Sequence, residues 1–148
     1  MSRRLFPRAG DERGQALVEF SLAIVIFLVL MMGIVDFGRA IYQYNGVAQA
    51  AREIARATAA HAGPNFATAA GRSPETNHTI ATQQGLVPNL EDPTITCVDI
   101  DGSVITTGCL PGNWIRVEIA SNYTPVTPLL GLVGNWRFFS SSTSVQLQ

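Results

Sequence analysis

Charge is scarce in this 148-residue chain and is missing altogether from one stretch of it. Only 14% of the residues are charged while 47% are hydrophobic, and residues 20–35 (FSLAIVIFLVLMMGIV) contain no charged side chain. Extended back to residue 15, the stretch includes a single charge, Glu19. A helix needs about 20 apolar residues to cross the hydrocarbon core of a bilayer. A buried helix of a soluble domain would usually keep a polar face, so we predict one membrane span.

Clustered basic residues and catalytic groupings are also lacking. The chain after residue 61 is mildly acidic and has no basic patch, which argues against a nucleic-acid partner. His61 and His78 have no neighbouring nucleophile or carboxylate motif. Two cysteines are too few for structural zinc, and the Asp99–Gly102 segment lacks the distal glutamate of a calcium loop. We therefore expect a protein that is not an enzyme and has neither cofactor nor metal.

The residues that flank the apolar stretch predict its orientation. Four arginines precede it and one, Arg39, follows it closely; the four are Arg3, Arg4, Arg8 and Arg13. Basic residues near a span tend to stay in the cytoplasm. We therefore expect a single-pass protein of the cell (inner) membrane, with its N-terminus in the cytoplasm and its C-terminal domain outside. A cleaved secretory signal is the rival interpretation, but no A-x-A site follows the apolar run.

The helix is expected to continue beyond the membrane. No proline lies between Pro7 and Pro64, and residues 39–60 are mostly helix formers. Apolar side chains recur there at helical spacing, at Val47, Ala50, Ala51, Ile54 and Ala57. We therefore divide the chain into a basic cytoplasmic leader (1–14), a transmembrane helix (15–36), an amphipathic helical continuation (37–62) and an extracytoplasmic domain (63–148).

The last third of the chain has the composition of β structure. Residues 94–100 and 103–107 flank Asp101-Gly102, a tight-turn signal, and residues 114–119 alternate between apolar and polar. A last strand is predicted over residues 136–147. A short helix is expected before them, with Ser73 as N-cap, Pro74 first and Gly85 near the end. The predicted fold class is α+β: a long N-terminal helix packed on a small antiparallel sheet.

The two cysteines, Cys97 and Cys109, lie in the predicted extracytoplasmic domain. That compartment permits a disulfide, and closing this loop would stabilise the domain by about 3 kcal/mol. Pairing around Asp101-Gly102 would place Cys97 opposite Thr106, so the bridge would need a bulge or a strand end near Gly108. Two free thiols are the alternative.

Glu19 is the one ionisable residue inside the apolar stretch. A carboxylate at the centre of a bilayer costs on the order of 3 kcal/mol, and less near the end of a span, where the side chain can reach the interface. Glu19 is therefore either an interfacial carboxylate or a group that seeks a partner.

Four segments together resemble a known family. They are RGQALVEF (13–20), DFGRAIY (36–42), AAREIAR (50–56) and YTPVTPLL (123–130). Their order and spacing are similar to those of TadE-like pilus assembly proteins, which are minor pseudopilins of tight-adherence, Flp-type pili. The resemblance implies a pilin-like fold. Many family members carry a proline early in the apolar stretch, and this chain does not, which favours a straighter helix.

The resemblance also implies a mechanism. A prepilin peptidase would cut between Gly14 and Gln15, and Glu19, followed by Phe20, would become the fifth residue of the mature chain. That carboxylate would meet the N-terminal amine of a neighbouring subunit, so the implied partners are other pilins or pseudopilins and the assembly machinery. The alternatives are an unprocessed, membrane-anchored binding domain and, third, an anchored enzyme.

Overall fold

Two helices and four strands make up the described part of the chain. The computed structural model describes residues 11–63, 65–66, 68–105, 109–128 and 136–147, with side chains for all of these except 11–13 and 136–144. Residues outside the described ranges include 1–10 of the predicted leader (1–14), Pro64, the segment around Thr106 and the end of the YTPVTPLL segment. The elements in chain order are α1 (Asp11–Ala60), α2 (Pro74–Leu86), β1 (Thr94–Val98), β2 (Val104–Ile105), β3 (Trp114–Tyr123) and β4 (Trp136–Gln146).

Helix α1 is one uninterrupted helix of 50 residues, about 75 Å long at 1.5 Å per residue. Every described side chain from residue 14 to residue 35 is exposed, and the first buried one is Asp36. The predicted apolar face of the second half is confirmed: Val47, Ala50, Ala51 and Ile54 are buried, and Ala57 is half-buried.

The sheet is antiparallel, in the order β2-β1-β3-β4, and α1 packs on β3 and β4. The alternation in β3 is confirmed, since Ile115, Val117 and Ile119 are buried beneath the helix. The strand runs further than the predicted residue 119 and ends at Tyr123. Ser121 and Tyr123 continue its buried face because α1 covers them as well. The structure therefore confirms the α+β, pilin-like fold class.

Helix α2 begins as predicted and packs against α1. The Ser73 hydroxyl accepts a hydrogen bond from the Thr76 amide at 3.2 Å, and Pro74 is the first helical residue. The helix ends at Leu86, and the next residue, Val87, is buried against α1. A Cβ at Gly46 would lie 3.0 Å from a Val87 methyl, so the glycine permits this close approach.

The β1–β2 hairpin corrects one sequence prediction. Cys97 pairs with Ile105, and the predicted pairing with Thr106 is wrong. The loop has three residues instead of two, because the Asp99 amide donates to the Ser103 carbonyl at 2.9 Å and Gly102 adopts a φ of +86°. Left-handed glycine after a tight turn is the usual closure of a three-residue hairpin loop. Strand β1 consequently ends at Val98 instead of Ile100.

A disulfide joins Cys97 of β1 to Cys109, with a Cα–Cα distance of 5.9 Å. Cys109 precedes β3 and belongs to neither strand of the hairpin. The bridge therefore ties the connection that leads into β3 to β1, one of the two middle strands of the sheet. Its sequence separation is 12 residues.

Candidate assembly helix and membrane-exit site

The residues predicted for processing lie on the first turns of α1. Gly14 and Gln15 are both helical and exposed. A Cβ placed on Gly14 would meet nothing within 4 Å. Glycine in a helix interior costs roughly 0.5–1 kcal/mol relative to alanine, and no described atom packs closely enough on Gly14 to require glycine there.

Glu19 and Phe20 lie one turn further along the same helix. Both are exposed, Phe20 with 66% of its surface accessible. In the ranges for which the structure places side chains, no hydrogen bond or ion pair of the Glu19 carboxylate is present. The carboxylate thus lies on an exposed apolar helix surface and has no partner among the described side chains.

One helix in the described ranges is long and apolar enough to cross a membrane, and it is α1. The most apolar 18-residue window has a mean hydropathy of 2.7, and none of it is buried within the molecule. A core helix of a soluble protein would instead be mostly covered by its own domain. The exposed apolar half of α1 therefore needs an environment outside this chain.

Asp36 marks the point where the apolar half of α1 ends and the domain begins. Only 1% of its surface is accessible. One carboxylate oxygen accepts the Val126 amide at 3.1 Å; the other accepts the Thr127 amide at 3.3 Å and the Thr127 hydroxyl. With the Tyr123 hydroxyl, which lies 3.5 Å from the first oxygen, four donors surround the carboxylate. A buried carboxylate satisfied in this way is compatible with a poorly hydrated site.

Tyr123, the last residue of β3, completes this membrane-exit site, which we define as Asp36, Tyr123, Val126 and Thr127. The Tyr123 hydroxyl donates to the main-chain carbonyl oxygen of Asp36 at 2.8 Å. Burial, and next the charge of the Asp36 carboxylate, raise the pKa of the Tyr123 phenol above its ordinary value of 10.0. The end of β3 and the loop that follows are therefore both bonded to one turn of α1.

A second polar contact lies two turns along the helix. The buried Gln43 side chain donates to the Ser121 hydroxyl, to the Pro88 carbonyl at 3.0 Å and to the Asn122 carbonyl at 3.2 Å. Ser121 itself donates to the Pro88 carbonyl at 2.8 Å. These bonds join three parts of the chain, which are α1, β3 and the segment that follows α2. Together with the Asp36 contacts, they attach the membrane-proximal end of the domain to α1 at two positions along the helix.

Asp36 belongs to a segment that resembles the family, but the sequence did not predict its burial or its hydrogen bonds to Val126 and Thr127. One signal was available: Asp36 is the first charged residue after the uncharged run of residues 20–35. Its partners follow it by about 90 residues along the chain, and no local pattern indicates a contact of that range.

The groove between α1 and α2 is lined by uncharged residues. It encloses about 230 Å³ and is lined by Tyr42, Gln43, Asn45, Gly46, Gln49, Gln83, Leu86, Val87 and Pro88. This lining supplies no carboxylate, histidine, cysteine or cation. His61 and His78 are both exposed, and the described residues contain no group of three side chains suited to hold a metal ion.

Comparison with known proteins gives one result that bears on this helix. Residues 14–56 match the family model described as TadE-like protein. The match covers the exposed apolar half of α1, Asp36 and most of the buried amphipathic half, and it amounts to less than a third of the chain. Searches of curated proteins and of solved structures gave no match.

Proposed function

We propose that the chain acts as a minor pseudopilin, or as an assembly factor, of tight-adherence pili, because residues 14–56 of its N-terminal helix match the TadE-like family model. Proteins of this family are structural or assembly components of pili and not enzymes. With α1 exposed and apolar over residues 14–35, the chain is a single-pass membrane protein. The observation that carries the proposal is Glu19, which lies exposed in this helix without a partner in the described side chains.

The proposed orientation has residues 1–14 in the cytoplasm and the α+β domain outside. Arg3, Arg4, Arg8 and Arg13 support it through the bias of basic residues toward the cytoplasmic flank. The disulfide is consistent with it, because disulfides persist in oxidising compartments. A reporter that is active only outside the cytoplasm, fused after Gln148, should be active, and an inactive fusion of well-expressed protein would contradict this orientation.

In the proposed mechanism, a prepilin peptidase cuts between Gly14 and Gln15 on the cytoplasmic side. The cut removes the basic leader and leaves a free ammonium group on Gln15, four residues before Glu19. The Glu19 carboxylate then pairs with the new ammonium group of a neighbouring subunit. The pairing offsets part of the cost of each charge in the bilayer, where an isolated carboxylate costs on the order of 3 kcal/mol.

The processing step is tested by substitution at Gly14. Gly14→Leu should block cleavage because a peptidase that accepts only a small side chain there cannot seat leucine. Gly14→Ala should retain much of it. Both changes should leave the fold intact, because Gly14 is exposed and a Cβ there meets no described atom within 4 Å. Intact mass and N-terminal sequencing of protein purified from membranes give the result. A wild-type chain that keeps residues 1–14 would favour the alternative, an unprocessed, membrane-anchored binding domain.

The assembly step is tested by Glu19→Gln. We expect normal cleavage and normal membrane insertion, since a neutral amide costs less in lipid than a carboxylate, together with loss of pilus assembly in a strain that lacks the wild-type copy. Glu53→Gln is the matched control, because it removes a carboxylate from the same helix at a position where Glu53 pairs with the exposed Arg56. Normal piliation with Glu19→Gln would show that Glu19 is only an interfacial carboxylate.

A further inference from the structure

The loop that follows β3 is attached to the last turn of the apolar helix half. Asp36, the next residue after the exposed apolar side chains of residues 14–35, accepts hydrogen bonds from the main chain of Val126 and Thr127 at 3.1 and 3.3 Å. The side chain of Val126 takes no part in these bonds, and 67% of its surface is exposed. An apolar side chain is thus presented beside the helix where the apolar run ends.

The whole β3–β4 connection is uncharged. Residues 124–135 read TPVTPLLGLVGN in the sequence. Tyr123 and Trp136, which precede and follow this connection, pair with each other in the sheet, so the connection leaves and re-enters the sheet at the end nearest Asp36. The opposite end of the sheet differs in composition: its hairpin carries Asp99 and Asp101 on either side of the exposed Ile100.

The length of the apolar run gives the depth of this loop. Residues 15–35 are 21 in number and rise by about 30 Å as a helix, which is the thickness of the hydrocarbon core. Asp36 therefore lies at the outer boundary of that core, and the loop bonded to it lies at the same level. Arg39, exposed one turn further from the core, can reach lipid phosphates.

We propose that residues 124–128 form a second membrane contact, in which Val126 enters the interfacial region of the outer leaflet beside α1. The occupant of this surface is lipid, because the surface is continuous with the apolar face of the span itself. Three of the polar groups that would oppose such burial are already satisfied, because the Val126 and Thr127 amides and the Thr127 hydroxyl all donate to Asp36. The domain then rests on the bilayer at a fixed height and does not swing freely on its helix. This inference depends on the membrane span and not on a role in pili.

Site-specific labelling of the full-length chain in phosphatidylcholine–phosphatidylglycerol liposomes tests the proposal. Val126→Cys and Ile100→Cys are each labelled, without reduction, with an environment-sensitive fluorophore. Ile100 is the control because it is 89% exposed and lies in the hairpin beside Trp114, about 30 Å along β3 from Tyr123. We expect the label at position 126 to be blue-shifted and quenched several-fold more by lipid-borne nitroxide than by aqueous iodide, and the label at position 100 to show the reverse.

Equal iodide quenching at the two positions would overturn the proposal. Protection of position 126 from both quenchers, lost when the protein is diluted in excess lipid, would also overturn it, since the surface would then be covered by another copy of the chain. If Val126→Cys pairs with a native cysteine, Val126→Trp and Val104→Trp replace the labelled variants. These compare two exposed valines at opposite ends of the sheet, and brominated lipid should quench the added tryptophan only at position 126.

Discussion

The two halves of α1 have the same backbone and opposite surroundings. From residue 14 to residue 35 every side chain is exposed, including Ile34 at 67%, whereas Ile54 in the second half is completely buried. Both halves contain many apolar residues, so their presence alone does not say which half the domain buries. What distinguishes the halves is their polar residues, which are nearly lacking in the first half and lie mostly on one face in the second, with Gln43 and Thr58 as buried exceptions. A helix that is apolar all round needs an apolar environment on every side, and one that is apolar on one face can cover a sheet.

The largest expected effect on stability is found by truncating one isoleucine to alanine in each half of α1 and comparing the two variants. Ile54→Ala should lower the free energy of unfolding by about 2–5 kcal/mol, because it leaves a cavity between α1 and the sheet. Ile34→Ala deletes the same atoms from a side chain that lies outside the domain core, and should change it by less than about 0.5 kcal/mol. Denaturant unfolding of the detergent-solubilised chain, followed by tryptophan fluorescence, measures both. Equal losses would show that the first half packs on its own domain.

A second effect should be confined to the domain. Replacing Cys97 and Cys109 together by serine should lower its free energy of unfolding by about 3 kcal/mol, because the bridge restricts the unfolded chain. Membrane insertion should not change, since the apolar half of α1 lies outside the loop closed by the bridge. Thiol labelling of unreduced, denatured wild-type protein is the accompanying measurement, and two labelled cysteines would show that the bridge does not form in the cell.

Asp36→Asn tests the junction between the two halves. Asparagine retains one carbonyl oxygen, so either the Val126 or the Thr127 amide would lose its acceptor and face an NH₂ group. We expect the amides of Val126 and Thr127 to exchange with deuterium several-fold faster, while the core amides of β3 stay protected. Glu53→Gln, which removes a carboxylate of the same helix away from this contact, is the control and should leave both amides unchanged. Unchanged exchange in Asp36→Asn would mean that the carboxylate does not hold the loop.

The smallest expected effect is a change in stability at alkaline pH, and it comes from Tyr123. The pKa of its phenol is raised in the folded protein by burial and then by the Asp36 charge, so the unfolded chain releases this proton first. The stability tied to the neutral phenol is therefore complete below pH 10 and is lost as the pH rises through the folded-state pKa. Tyr123→Phe should cost about 1 kcal/mol at neutral pH, through the lost hydrogen bond to Asp36. In the variant, the free energy of unfolding should also fall less steeply as the pH rises above 10. If the fall is as steep as in the wild type, groups other than Tyr123 cause it.

Patterns in the sequence were sufficient to predict the long helix, the contrast between its two halves, the capped second helix and the approximate positions of the strands. These features follow from patterns among neighbouring residues, such as the uncharged run of residues 20–35 or the alternation at Ile115, Val117 and Ile119. The processing and assembly residues Gly14, Gln15, Glu19 and Phe20 were also named from the sequence, through resemblance, and remain predictions because their partners are other molecules.

Tertiary structure alone decided which charged groups become buried. Arg72 is buried because its guanidinium donates to the Phe66 carbonyl at 3.0 Å and the Pro93 carbonyl at 2.9 Å while it pairs with Asp92. Asp36 is buried because a loop 90 residues away supplies its donors. A charged group can be buried only where other parts of the chain supply complementary groups. The residues next to it in the sequence do not predict such long-range contacts.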